Sequence, residues 1–295
     1  MKLTEGRAKP YKDFRRVMDQ KDIDAVIVAT PDHWHALITV AACDAGKDVY
    51  CEKPLSSMAE EGRHMVNAAR RNQRVVQAGS QQRSGEHYIQ AVELIRDGKI
   101  GEVHRIEAGM QRNIYPGLKP TALQNGLTPE LDWDMWLGPA QKRPFDPFRC
   151  IYNFRWFWDY SGGQMTNWGA HHLDIARWMV GDVAPETVSG AGGRFALTDG
   201  GETPDIQEVT YRFPKTVVTW TSSEIREGDP MTLNIYGTKG MMTLLRSGFK
   251  IKPETTTKPG SEEKMALMDA MEVKGADPQD RIHRLCPLEP RPEPA

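Results

Sequence analysis

The 295 residues carry 38 Lys and Arg against 40 Asp and Glu, a formal net charge of −2 at pH 7. Acid and base are matched along the chain, which argues against a nucleic-acid or anionic-membrane surface and for a small or neutral ligand. At roughly 150 residues per domain the length suits two domains with substantial cores.

No apolar run reaches the ~18 to 20 residues of a membrane span, and the start MKLTEGRAKPYKDF has no signal-peptide core. A soluble cytoplasmic chain is expected as written, with an export signal on a longer parent left open. Residues 11–19 pattern as a short helix, and DAVIVA is a β-branched run suited to a strand buried on both faces. A helix over 35–45 ends at Gly46, and DVYCE is the next strand. The segment MAEEGRHMVNAARR is a helix with Ser56 or Ser57 as cap and Glu60 and Glu61 in its first turn, followed by the strand RVVQAG. Strands alternating with helices at this spacing predict parallel pairing.

The pattern changes after Gly79. GEHYIQAVELIRDGKIG is a helix closed by Gly98, and EVHRIEAGMQRN is a strand. Residues 116–161 form a long irregular stretch rich in Pro, Trp and Asp, of the kind that carries function. A helix over 168–180 follows, then five short alternating strands that predict an antiparallel sheet with one wet face. From Pro253 the chain is polar and Pro/Lys/Glu-rich, and a poorly ordered tail is expected. Cys43, Cys51, Cys150 and Cys286 form no CxxC pair and read as free thiols. The fold expected is therefore α/β plus α+β, with a partial parallel-sheet domain over 1–83, an open-faced sheet domain over 84–252 and a tail over 253–295.

Three motifs carry chemistry. ATPDHWH follows a parallel strand, at the carboxyl edge where open α/β sheets bind ligands. Thr30 and Pro31 either lie beside a cofactor there or form an ordinary turn with Asp32 as helix cap. His33 and His35 are two apart on a helix and face different ways, so no metal site is expected. CEKPL brings Lys53 to the same edge, where an ammonium either is solvated or polarises a substrate hydroxyl. In YSGGQMTNWGAHHLDIARWMVGD, Asn167, His171 and Asp174 fall at i, i+4 and i+7 along one helix face. They read as an acid/base group or as a cap with an interior hydrogen-bonded histidine.

ATPDHWH, CEKPL, GGQMTNWGAHHLD and YGTKG resemble, in order and spacing, the signature segments of the Gfo/Idh/MocA oxidoreductases. The resemblance implies a dinucleotide-binding Rossmann domain, an open-faced sheet domain and NAD or NADP as cofactor. It implies Lys53, Asn167 and His171 as the catalytic group, with Thr30, Pro31, His35, Glu52 and Lys53 lining the nicotinamide side. Members often carry Asp where Asn167 stands, and Asn orients a histidine without offsetting an imidazolium charge. The family's glycine-rich turn lies upstream of YKDF, where this sequence has only Gly6, so weak binding of NAD(H) and an unpaired strand edge are expected of the chain as given.

The function expected is hydride transfer between nicotinamide and a sugar or polyol carbinol, impaired by that loss. His171 takes the proton, Lys53 polarises the oxygen, and Arg155, Trp158 and Tyr160, with Tyr152 and Trp156, contact the sugar. The alternatives are an NAD-dependent glycoside hydrolase of the same superfamily and a non-catalytic scaffold fragment. Self-association through the C-terminal sheet is expected, and no nucleic-acid or membrane partner.

Overall fold

The computed structural model describes residues 8–119, 131–228 and 232–276. After the short helix α1 (Arg15–Met18), the strands β1 (Ala25–Val28), β2 (Asp48–Cys51) and β3 (Val76–Ala78) form a parallel sheet in the order β1-β2-β3. The helices α2 (Asp32–Asp44) and α3 (Ala59–Arg71) make the crossovers that parallel pairing requires. Their apolar side chains meet those of the strands in one core of Val28, Ile38, Cys43, Val49, Cys51 and Met65.

β1 departs from the expectation of burial on both faces. Val28 is buried on the helix side, whereas Ile27 is 76% exposed, because among the described residues β1 is the edge strand and no layer covers its second face. The cap of α3 also differs. Met58 takes the N-cap position, and the Glu61 carboxylate accepts the N–H groups of Ser57 and Met58, each at 3.0 Å. A carboxylate in the first turn answers both the orphan donors and the helix dipole, a role a serine hydroxyl was expected to fill.

The second sheet has eight strands in the order β13-β10-β9-β8-β4-β7-β6-β5. In chain order these are β4 (Val103–Gln111), β5 (Thr187–Gly193), β6 (Ile206–Arg212), β7 (Val217–Ser223), β8 (Leu233–Gly237), β9 (Gly240–Leu245), β10 (Gly248–Pro253) and β13 (Met271–Lys274). A separate hairpin joins β11 (Thr255–Thr257) to β12 (Lys264–Ala266). The sheet is antiparallel except at its centre, where β4 runs parallel to β7 from Arg105↔Val217 to Gln111↔Ser223. Alternation in sequence fixes which face a residue takes and leaves strand direction open. The long crossover between these two strands sets it.

Two helices, α4 (Glu86–Arg96) and α6 (Ala170–Met179), cover one face. Tyr88, Val92 and Ile95 from α4 and Ile175 and Met179 from α6 bury against Ile106, Met110, Trp220 and Ile235. Each fully buried side chain of this size contributes about 1.5–3 kcal/mol. The alternate residues, Arg105, Glu107, Gln111, Thr219, Thr221 and Asn234, line an open polar trough on the uncovered face.

Residues 253–274 are not the unstructured tail their composition suggests. Met271 and Val273 alternate with Glu272 and Lys274, and β13 pairs antiparallel with β10 with Lys250 and Glu272 3.1 Å apart. That period-two pattern is short enough to be masked by the Lys and Glu around it. Residues 277–295, with Cys286, lie outside the described residues; Cys43 and Cys51 are free thiols, and both are buried, as is Cys150.

Between the sheets, the stretch expected to be irregular holds α5 (Trp133–Leu137) and a 3-10 turn (Asn153–Trp156). They enclose a third core of Leu137, Phe154, Trp156, Phe157 and Tyr160. Among the described residues no helix is long and apolar enough to cross a membrane.

Candidate active site

Because β1 and β2 are parallel, the turns that leave them reach the same edge of the sheet. Thr30 and Pro31 follow β1, and Glu52, Lys53 and Pro54 follow β2; together with Asp32, Tyr152, Arg155 and Asn167 they line a cavity of about 360 Å³. His35 ties the two turns together from behind, with Nδ1 2.7 Å from the Pro54 carbonyl oxygen and Nε2 2.8 Å from that of Thr30. It is 1% exposed and is not among the residues that line the cavity. Among the described residues no cluster of three His, Cys, Asp or Glu side chains is placed to hold a metal ion.

Lys53 bridges the two halves of the molecule. Its Nζ donates to both the backbone oxygen and Oδ1 of Asn167, each at 2.9 Å. Burial lowers its pKa to about 8, with Arg155 and Arg246 acting in the same direction and Asp32 and Glu52 opposing. The amine therefore titrates near neutrality.

Asn167 reaches Lys53 from a π-helical turn, Met165–Gly169, that precedes α6. The sequence pattern predicts a cap at Asn167 and an α-helix from 168. The structure instead widens this turn, as helices often do at functional sites. Gly163, just upstream, has φ +67° and stands where a Cβ would come within 2.7 Å of Thr203, so the turn's entry admits no larger residue without strain.

The expected stripe of Asn167, His171 and Asp174 thus divides. Asp174 pairs with Arg83 at 2.8 Å, and Arg83 also reaches Asp182 at 2.9 Å, so this end of the stripe is an ion-pair network. His171 is buried and does not line the cavity. Its pKa is lowered to about 3, by burial first and then by Lys53, Arg246 and His172. An imidazole so placed is neutral at pH 7, the form with one unprotonated ring nitrogen.

Asp32 is the first residue of α2 and is not its cap. It is buried, accepts a hydrogen bond from Ser161 Oγ, and has its carboxyl pushed above the usual range by burial. The Arg155 guanidinium lines the cavity, donates to the Tyr152 carbonyl at 3.0 Å and lies 4.8 Å from the Tyr152 ring centre. Of the expected sugar contacts, Trp158 is largely exposed away from the cavity and Tyr160 is fully buried, packed edge-on against Trp136 at 4.9 Å. Aromatic residues in a loop serve packing as readily as recognition, and here Tyr160 serves packing.

Two residues at this site carry no signal in the sequence. Gln164 and Glu224, both buried, stand behind Asn167 and are joined to each other at 2.5 Å. Gln164 lies within the GGQMTN segment, but nothing marks it there, and Glu224 is a lone acid after a strand.

Residues 4–80 match the family model described as oxidoreductase family, NAD-binding Rossmann fold. Residues 105–191 match its companion, oxidoreductase family, C-terminal alpha/beta domain. The chain belongs to the Gfo/Idh/MocA oxidoreductase family. Among its relatives, inositol 2-dehydrogenase of Salmonella typhimurium is 33% identical over 133 residues, 44% of this chain and 40% of that one. Levoglucosan dehydrogenase of Pseudarthrobacter phenanthrenivorans is 29% identical over 212 residues, 68% of this chain and 47% of that one. The matches thus span less than half the length of these curated relatives. Among solved structures, levoglucosan dehydrogenase in complex with NADH and levoglucosan superposes with a TM-score of 0.66 at 21% identity, over 89% of this chain and 65% of that one. The WlbA dehydrogenase of Bordetella pertussis, in complex with NADH and UDP-GlcNAcA, gives 0.63 at 19% identity over 99% and 70%. At such identities the likeness establishes the family's fold.

Proposed function

We propose that the protein transfers a hydride between a sugar or polyol carbinol and NAD(P), with Lys53 as the group that holds the proton. The observation that carries this reading is the pair of hydrogen bonds from Lys53 Nζ to Asn167. A neutral amine has two N–H groups and one lone pair. With both N–H groups given to Asn167, the lone pair is left for a substrate hydroxyl in the cavity. In the reverse direction the ammonium has one N–H left over, and that proton goes to the carbonyl oxygen.

The strand ends fit the nicotinamide half of the cofactor. Thr30, Pro31, Glu52 and Lys53 would hold it at the sheet edge, where this fold class binds such groups. Among the described residues no glycine-rich turn follows a strand to cradle a pyrophosphate. When bound, the nicotinamide supplies the acceptor for the carbinol hydride. This chain's residues do the rest: Lys53 takes the hydroxyl proton, Asn167 orients Lys53, and Arg155 binds neighbouring hydroxyls. His171, buried one helical turn after Asn167, is held neutral and is the alternative proton acceptor.

NAD reduction by a panel of polyols and sugars, followed at 340 nm with the native chain and with Lys53→Met, tests the reading. Turnover that depends on Lys53 supports it, and turnover unchanged in the variant refutes it. The polar trough over Gln111, Thr219 and Asn234 is the face through which we propose self-association. A clean monomer in sedimentation at micromolar concentration would refute that part alone.

A further inference from the structure

The amide that meets Lys53 is itself held from behind. Asn167 Oδ1 accepts from Lys53 Nζ at 2.9 Å, while Asn167 Nδ2 donates to Gln164 Oε1 at 3.3 Å. Gln164 Nε2 donates in turn to Glu224 Oε1 at 2.5 Å. Glu224 lies just past β7, is fully buried, and also receives the Trp156 indole N–H, 2.9 Å from Oε1 and 2.7 Å from Oε2. Trp156, Glu224, Gln164, Asn167 and Lys53 thus form one path of five side chains that ends at the site.

An amide presents an oxygen on one side and an NH2 on the other, and a flip exchanges them at little steric cost. Two amides in series could therefore settle in either sense. A carboxylate removes the ambiguity because, ionised, it only accepts. The Trp156 indole can only donate, and it spans both carboxyl oxygens; burial pushes the carboxyl pKa up, while the hydrogen bonds from Trp156 and Gln164 and the charges of Arg194 and Arg112 favour the ionised form. Gln164 must then turn its NH2 to Glu224 and its oxygen to Asn167. Asn167 must turn its NH2 to Gln164 and its oxygen to Lys53.

We infer that Glu224 and Gln164 are positioning residues that fix the amide polarity of Asn167, so that an oxygen and not an NH2 group faces Lys53. The inference rests on the role proposed for Lys53, but its readout does not. With the opposite polarity an NH2 would point at the amine, leaving one N–H of Lys53 without its acceptor. The ammonium would be disfavoured and the lone pair misdirected. The other charged and titratable groups that act on Lys53 are Asp32 from α2, Glu52 beside it, Arg155 from the 3-10 turn, Arg246 after β9 and His171 from α6. None of them is altered in the variants below.

The test is the titration of Lys53 in the full-length chain, by competitive acetylation between pH 6 and 11 with quantitation of its peptide by mass spectrometry. It requires neither cofactor nor turnover. Gln164→Met keeps the Glu224 charge and the Trp156 contact but removes the acceptor that holds Asn167. The Lys53 acid dissociation constant is expected to rise by about threefold to tenfold. The paired exchange Glu224→Gln with Gln164→Glu moves the carboxylate one step along the path and keeps its sense, so the constant should return to the native value or fall below it. A Lys53 titration unmoved in a folded Gln164→Met protein overturns the inference. Should that variant not fold, the paired exchange decides alone, a dissociation constant above the native one overturning the inference and one at or below it supporting it. If the titration moves as expected while the pH limb of polyol oxidation does not follow, the path stands and the assignment of Lys53 as proton acceptor fails.

Discussion

Replacing Asn167 by Asp puts a carboxylate where an amide oxygen now accepts from Lys53 at 2.9 Å. At an effective dielectric of about 20, Coulomb's law gives an attraction of about 6 kcal/mol at that separation, or about four pKa units. Desolvation of the new carboxylate offsets about half of this, leaving a rise of about two units, within the 1–3 typical of an adjacent opposite charge. Lys53, now at about 8, would then titrate near 10. At pH 7 the neutral amine falls from about a tenth of the population to about a thousandth, so kcat/KM for oxidation should drop about 100-fold at pH 7 and recover above pH 10. The assay is the pH profile of NAD reduction for native chain and Asn167→Asp, with circular dichroism confirming equal folding. A limb that stays near 8 in the variant refutes the reasoning. A limb in the ordinary imidazole range in both proteins returns the proton to His171.

Removing the amine tests its catalytic and energetic parts together. Lys53→Met should lose about 10²- to 10⁴-fold in turnover, the usual contribution of a general base. Because the folded pKa of Lys53 lies below its model value of 10.5, the unfolded chain binds more protons between about 8 and 10.5, and this group's contribution to stability rises with pH across that window. Urea denaturation of native chain and Lys53→Met should therefore show the variant about 1–3 kcal/mol more stable at pH 7, the gap closing by pH 10.5; a gap independent of pH would contradict it. Arg83→Gln leaves Asp174 and Asp182 without their partner and should cost about 1–3 kcal/mol, read by thermal melting with substrate KM unchanged. The Tyr160 hydroxyl is buried with no hydrogen-bond partner among the described residues, so Tyr160→Phe should hold or raise the melting temperature and leave KM alone; a raised KM would restore Tyr160 as a sugar contact.

What the sequence disclosed was whatever local pattern controls. The β-branched run at β1, the strand–helix alternation around it and the alternation in β5 to β9 gave the two sheets, since side-chain period follows directly from backbone geometry. The meeting of Thr30 and Lys53 at one edge was readable for the same reason, because parallel strands end on the same side. The destinations of Asp32, Tyr160 and Asp174 were not. Each is decided by a partner distant in sequence, namely Ser161, Trp136 and Arg83. Glu224 was invisible because one buried acid at a strand end has no periodicity to betray it. The direction of β4 against β7 was hidden in turn, since a strand's own residues do not record how its neighbour arrived.

The π turn at Met165–Gly169 gives this helix one residue more than an α-helical path of the same rise needs. That surplus acts as a phase shift: residues before it and after it answer to different clocks, about 100° apart. Asn167 can be aimed at Lys53 while α6 keeps Ile175 against the sheet and Asp174 on Arg83. Deleting a single residue here would restore an unbroken α-helix and leave α6 seated as before. The same deletion would turn everything upstream, Gln164 included, away from its present bearings. The length of this segment is thus constrained more tightly than its composition, and insertions or deletions within 165–169 should be tolerated by the fold before they are tolerated by the site.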